Sequence, residues 1–145
     1  MFVVDTNILV YAANADSPFH EPSRRRLEEW RRSTAAWYLT WGICYEFLRV
    51  VTHRRALRSP WTGGAAWRFL EAVLASPGLG LLVPTERHAA VAAGIIEESS
   101  PVAGNLWHDA MTAILMREHG ISTIYTRDAD FRRFPFLQVV DPVRE

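Results

Sequence analysis

Lysine is missing from this chain: all 16 basic residues are arginine, set against 16 acidic residues for a formal net charge of zero. Any mechanism that runs through a lysine, as a Schiff base or a phosphate-binding ammonium, is therefore excluded. Cysteine is nearly absent. Cys44 stands alone, so no internal disulfide can form, which suits a reducing cytoplasm. No apolar run approaches the roughly 18–20 residues of a membrane span, because charges interrupt every stretch. No basic segment precedes a long hydrophobic one at the N-terminus, so no secretory signal is expected. With zero net charge the whole molecule does not attract polyanions, and any nucleic-acid contact must come from local clusters.

What is present reads as one soluble globular domain over residues 1–145, with 49% apolar and 22% charged residues. Residues 2–5 read as a first strand and 6–13 as a short helix. A loop over 14–19 leads to a basic helix from His20-Glu21-Pro22 to Arg32, with Leu27 and Trp30 as its apolar contacts. A second strand is expected over 35–39, then a helix from Trp41 to about His53 with Thr40 as its N-cap. Thr62 marks the next helix, with an apolar face of Trp67, Leu70, Val73 and Leu74. Leu79 to Val83 is a third strand and Thr85 to about Ser99 a further helix. Asn105 to His119 is a strong helix closed by Gly120. Ser122 to Tyr125, a helical turn over 128–133 and Leu137 to Val140 complete the pattern. Strands alternating with helices predict an α/β sandwich with a mainly parallel sheet.

Acidic residues fall at informative places. Asp5 interrupts Val3-Val4-Asp5-Thr6-Asn7-Ile8 at the junction of a buried strand and a helix, where an uncompensated carboxylate is costly. Glu46 shares a helical face with Ile43 and Val50, and Arg49 is placed to pair with it. Asp109 lies near a helix start, where the helix dipole alone favours an acid. Asp128 and Asp130 follow the strand Ile124-Tyr125, in positions where Asp often caps a turn. Each has an ordinary structural explanation alone. Together they fall after strand ends or early in helices, the edge where parallel α/β sheets bind ligands. Carboxylates about 4 Å apart repel by roughly 4 kcal/mol at an effective dielectric near 20, so such a group requires a cation. Oxygen ligands without His or Cys select Mg²⁺ or Mn²⁺.

At these residues the sequence resembles the PIN-domain ribonucleases, most closely the VapC toxins of type II toxin–antitoxin systems. The resemblance runs nearly end to end. It rests on Val4-Asp5-Thr6-Asn7-Ile8-Leu9-Val10-Tyr11, Glu46-Phe47-Leu48-Arg49-Val50-Val51-Thr52, Gly104-Asn105-Leu106-Trp107-His108-Asp109-Ala110 and Thr126-Arg127-Asp128-Ala129-Asp130-Phe131. It implies a three-layer α/β/α sandwich with a five-stranded parallel sheet. It also implies a magnesium site (manganese able to substitute), endonucleolytic RNA cleavage by an activated water, a homodimer and a VapB-type antitoxin partner. Carried over by position, Asp5, Glu46, Asp109 and Asp128 are the catalytic and metal-binding quartet, with Asp130 as a fifth, outer acid. Thr6, Asn7 and Thr126 are supporting groups behind the carboxylates. Arg54 stands where relatives often carry a proline, which touches the loop more than the chemistry.

RNA approaching an acidic pocket needs positive charge around it. Arg24, Arg25, Arg26, Arg31 and Arg32 read as a solvated helix face interleaved with Glu28 and Glu29. Arg49, Arg54, Arg55 and Arg58 are the expected RNA contacts. Trp37 and Trp67 are assigned to the core, Trp61 and Trp107 to RNA or antitoxin. His108, beside Asp109, reads as a surface or packing histidine before a general base. Receiver domains and haloacid-dehalogenase-like phosphatases also place an Asp after strand one, but both usually need a lysine. A PIN-fold nuclease of DNA or ribosomal-RNA processing, or a non-catalytic PIN domain that only binds a partner, are the remaining alternatives.

Overall fold

The computed structural model describes residues 1–144. Its element order is β1 (Val3–Val4), α1 (Thr6–Ala13), α2 (His20–Arg32), β2 (Trp37–Thr40), α3 (Trp41–Val51), α4 (Gly63–Leu74), β3 (Leu79–Leu82), α5 (His88–Glu98), α6 (Leu106–Glu118), β4 (Thr123–Tyr125), a 3-10 turn (Ala129–Arg133) and β5 (Gln138–Val140). The five strands form one sheet in the order β3-β2-β1-β4-β5, and every pairing is parallel. Helices α1 to α4 lie in the connections that step from β1 out to β3, and α5 and α6 in the crossover from β3 back to β4. The α/β sandwich expected from the alternating pattern is the fold observed. No helix among the described residues is long and apolar enough to cross a membrane.

The central strand is very short. Val3 and Val4 are completely buried, and Val3 sits between Tyr38 of β2 and Ile124 of β4. Because the chain leaves β1 and steps outward in both directions, the sheet has its topological switch point between β1 and β4. Below the sheet Phe2, Trp30, Trp37 and Tyr125 form an aromatic cluster, with Phe2 and Tyr125 rings 4.8 Å apart. Trp37, Phe47, Phe131 and Phe134 are the largest fully enclosed side chains. Thr40 caps α3 by accepting from the Ile43 amide at 3.0 Å, and Thr62 caps α4 through the Ala65 amide, as their positions indicate. Gly120 closes α6 with a φ of +70°, the left-handed conformation that glycine tolerates best.

The basic face of α2 is solvated and paired within the helix, as its interleaved charges suggest: Arg24 meets Glu21 and Arg31 meets Glu28. Three expectations need correction. Trp67 is not core. It is 40% exposed, because Ala66, Leu70 and Val73 set the buried face of α4 and leave Trp67 at its margin, donating to Glu71. Trp61 is not a free docking residue; it packs edge-on against Phe69, partly buried against the core. Helix α5 begins at His88 rather than Thr85, because the Thr85 amide and hydroxyl donate to the carboxylate of Glu118 instead. Glu118 is buried at the end of α6, and His88 Nδ1 lies 2.7 Å from its other oxygen, so this one acid joins α5 to α6.

Candidate active site

Asp5 follows β1 directly, at the switch point. Its amide donates to the carbonyl of Tyr125, which ties the end of β1 to the end of β4. Its side chain is 6% exposed, with Oδ1 accepting from the Thr6 amide at 2.7 Å and Oδ2 from the Thr126 hydroxyl at 2.6 Å. Burial raises the Asp5 carboxyl above its ordinary value, and the two hydrogen bonds only partly offset that. Asp5 is thus both the N-cap of α1 and a carboxylate forced into a dry place.

Thr126 is the hub beneath the site. Fully buried, its hydroxyl donates to Asp5 and accepts from the Asn7 side-chain amide at 3.1 Å and from the Asp128 backbone amide at 3.0 Å. One hydroxyl therefore orients three polar groups from opposite ends of the chain. Asp128 in turn accepts from the Asp130 amide at 2.8 Å and caps the 3-10 turn. The turn-capping reading of Asp128 is correct, and it does not exclude a second role for the other carboxylate oxygen.

Asp109 projects from the first turn of α6 toward the same edge. Its carboxyl is pushed up to about 7, first by burial and then by the charges of Asp5, Asp128 and Asp130. Carboxylate oxygens of Asp109, Asp128 and Asp130 all come within 4.8 Å of one another. Glu46 enters from the second turn of α3, where Arg49 pairs with it at 3.0 and 2.5 Å. That guanidinium holds the Glu46 carboxyl below its ordinary value, against an opposing contribution from partial burial.

The acids line one continuous depression. Glu46, Asp109, Asp128 and Asp130 border a cavity of about 650 Å³; Asp5, Thr6 and Asn7 border an adjoining one of about 240 Å³, and Glu46, His108, Asp109 and Asp128 form the shared wall. The structure thus brings together all four quartet positions, Asp130 and the three supporting residues. The arginines divide. Arg49 lines the acidic cavity, whereas Arg54, Arg55 and Arg58 are exposed in the connection after α3, outside that lining. Gly104 and Asn105, quoted with the Asp109 motif but given no role there, are walls of the cavity, and Gly104 turns the chain at a φ of +57°.

The residues suit a hard divalent cation. The donors are carboxylate, hydroxyl and amide oxygens, the set that selects Mg²⁺ or Mn²⁺. Thr6 Oγ1, Asn7 Oδ1 and His108 Nε2 are buried without a hydrogen-bond partner among the described residues, and all three belong to cavity-lining residues. Buried polar atoms are normally satisfied, so these orphans fit a site built around a hydrated ion.

The PIN domain family matches residues 2–137. Ribonuclease VapC48 of Mycobacterium tuberculosis is 33% identical over 138 residues, covering 95% of this chain and 94% of that protein. Ribonuclease VapC37 of the same organism is 35% identical, covering 92% of each. Among solved structures, FitAcB from Neisseria gonorrhoeae superposes with a TM-score of 0.69 at 20% identity over 98% of both chains. VapBC2 from Rickettsia felis, bound to a DNA fragment of its promoter, superposes with a TM-score of 0.67 at 18% identity over 96% of both. With the acids of all four motif blocks gathered at the switch point of a parallel sheet, this chain belongs to the PIN domain family, among its VapC-type ribonucleases.

Proposed function

We propose that the chain is a divalent-metal-dependent endoribonuclease toxin of the VapC kind, acting in the cytoplasm and neutralised by a cognate VapB-type antitoxin. The observation that carries this reading is the convergence of Asp5, Glu46, Asp109 and Asp128 on one cavity that contains partnerless buried oxygens. Those acids, with Asp130 at the rim, would hold Mg²⁺ or Mn²⁺. When bound, the ion supplies activation of a water molecule and neutralises charge on the scissile phosphate.

The chain's own residues do the positioning. Thr126 fixes the Asp5 carboxylate, the Asn7 amide and the start of the 126–128 segment with a single hydroxyl. Asp109, pushed up to about 7, is about half protonated at neutral pH in the cation-free cavity, and that proton would be lost on binding a cation. Arg49 stands at the cavity wall beside Glu46, where a guanidinium can meet a phosphate oxygen. No nucleophilic side chain is required, which agrees with the absence of a Ser-His or Cys-His pairing in the cavity lining.

The partner reading draws on the solved relatives, which include VapBC2 and FitAB assemblies. A homodimer is supported by a strip of exposed apolar side chains on two adjacent helices: Trp41 and Tyr45 of α3, Trp107 and Met111 of α6. A cleavage assay with purified chain tests the enzymatic reading. RNA is expected to be cut in Mg²⁺, left intact in chelator, and left intact by Asp5→Asn protein that still folds. Equal cutting by the intact and substituted proteins would remove the metal-site reading.

A further inference from the structure

On the far side of Asp128 from the acidic cavity lies a second cleft, of about 280 Å³, with the opposite charge character. Arg127, Arg132 and Arg144 line it, and Asp128 is the wall it shares with the carboxylate centre. Arg127 Nη1 and Arg144 Nε both reach the same oxygen of Asp141, at 3.4 and 3.5 Å. One carboxylate therefore collects two guanidiniums. Arg132 makes no ion pair among the described residues, so the cleft lining carries three guanidiniums against the two carboxylates of Asp128 and Asp141. Arg127 is further fixed by stacking on the Phe19 ring, with its guanidinium carbon 3.9 Å from the centroid.

Two guanidiniums sharing one carboxylate oxygen leave the group with a net positive charge and with N–H donors that meet no protein acceptor there. Such an arrangement is satisfied by an anion with several acceptor oxygens. A phosphodiester strand crossing the acidic cavity would leave it past Asp128 and enter this cleft. The cleft adds to the single guanidinium, Arg49, that lines the acidic cavity and pairs with Glu46 there.

We propose that the cleft framed by Arg127, Arg132 and Arg144 is a backbone-phosphate subsite that holds the RNA strand beside the carboxylate centre. It rests on the ribonuclease reading and names where that substrate is gripped. The residues differ from the arginine cluster of 49–58 and come from two segments, the stretch after β4 and the chain after β5.

The test is RNA binding by the full chain carrying Asp109→Asn, so that strands are not cut during measurement. The probe is a fluorescently labelled, unstructured single-stranded RNA of about 20 nucleotides, titrated at several salt concentrations. Arg132 and Arg144 are exposed, and their joint replacement by alanine leaves Arg127 and the Phe19 stack in place. The double variant is expected to bind roughly tenfold more weakly, with a salt slope shallower by about 1.4, the value for two lost single-strand phosphate contacts. Arg32→Ala/Arg68→Ala, two exposed arginines on α2 and α4, is the charge-matched control and is expected to leave both quantities unchanged. Unaltered affinity and slope in the cleft variant overturn the proposal, as does an equal loss in the control; either result leaves the ribonuclease reading standing. If the Asp109→Asn protein binds no RNA at any salt, the ribonuclease reading fails and the subsite with it. Melting curves on every variant separate lost contacts from lost fold.

Discussion

Replacing Asp109 with asparagine is expected to make the cation-free protein more stable at alkaline pH while removing its response to divalent metal. In the folded chain this carboxyl is pushed from 3.8 to about 7 by burial and by three neighbouring acids. Ionising it therefore opposes folding. A shift of that size corresponds to about 4 kcal/mol for a fully enclosed group. Asp109 is only partly buried, so solvent screening reduces the expected figure to about 2 kcal/mol. The folded-state value lies above the unfolded one, so the proton's stabilising contribution is complete below pH 3.8 and is lost as pH rises through about 7. The advantage of the variant should accordingly be about 2 kcal/mol at pH 8, fall through the range from 7 toward 4, and vanish below it. Urea denaturation in chelator at pH 8, 6 and 4 reads this directly. In melting experiments it corresponds to a gain of roughly 4–8 °C at pH 8. Saturating Mg²⁺ should reverse the order, because a ligand at 100 times its dissociation constant stabilises the unsubstituted protein by about 2.7 kcal/mol. A variant that is no more stable than its parent at pH 8 in chelator would refute the account of mutual repulsion in the cavity.

Other outcomes follow from the same geometry. Asp5→Asn is expected to lower RNA cleavage by at least about 100-fold while the circular dichroism spectrum stays native, since one acceptor oxygen for the Thr6 amide remains. Thr126→Ala strands Asp5, Asn7 and the Asp128 amide together and is expected to destabilise by about 1–3 kcal/mol in urea, whereas Thr126→Ser retains the hydroxyl and most of the stability. Gly78→Ala would place a Cβ 2.2 Å from the Ala35 carbonyl oxygen; a loss of about 1–3 kcal/mol in stability, with specific activity per folded molecule unchanged, is the expected result. Recovery of full stability in that variant would mean that the 33–35 segment moves aside freely.

Much of the fold was legible because its local signals agree. Thr40 and Thr62 precede their helices as capping residues, Gly120 follows α6 in a conformation few other residues accept, and the apolar runs match strand lengths. Failures occurred where phase or partner mattered. Trp67 sits beside Leu70 on any helical projection, yet small Ala66 defines the packed face and tilts the indole into solvent. Trp61 lies in a connection that reads as polar, and only the position of Phe69 explains its burial. Glu118 resembles an ordinary charged residue at a helix end; its partners, Thr85 and His88, lie 33 and 30 positions away.

The sequence by itself determined the alternation of elements, the lack of lysine chemistry, and the placing of acids at strand ends and helix starts. Those are properties of short windows, set by side-chain periodicity and by the cost of a carboxylate beside a buried strand. The strand order was decided only in three dimensions, and with it the meeting of Asp5 with Thr126 across 121 residues of chain, which brings Asp128 alongside. The division of labour among the arginines was decided there as well. Arg49 is bound to Glu46, while Arg127 and Arg144 are drawn onto Asp141, because side chains compete for partners across space rather than along the sequence.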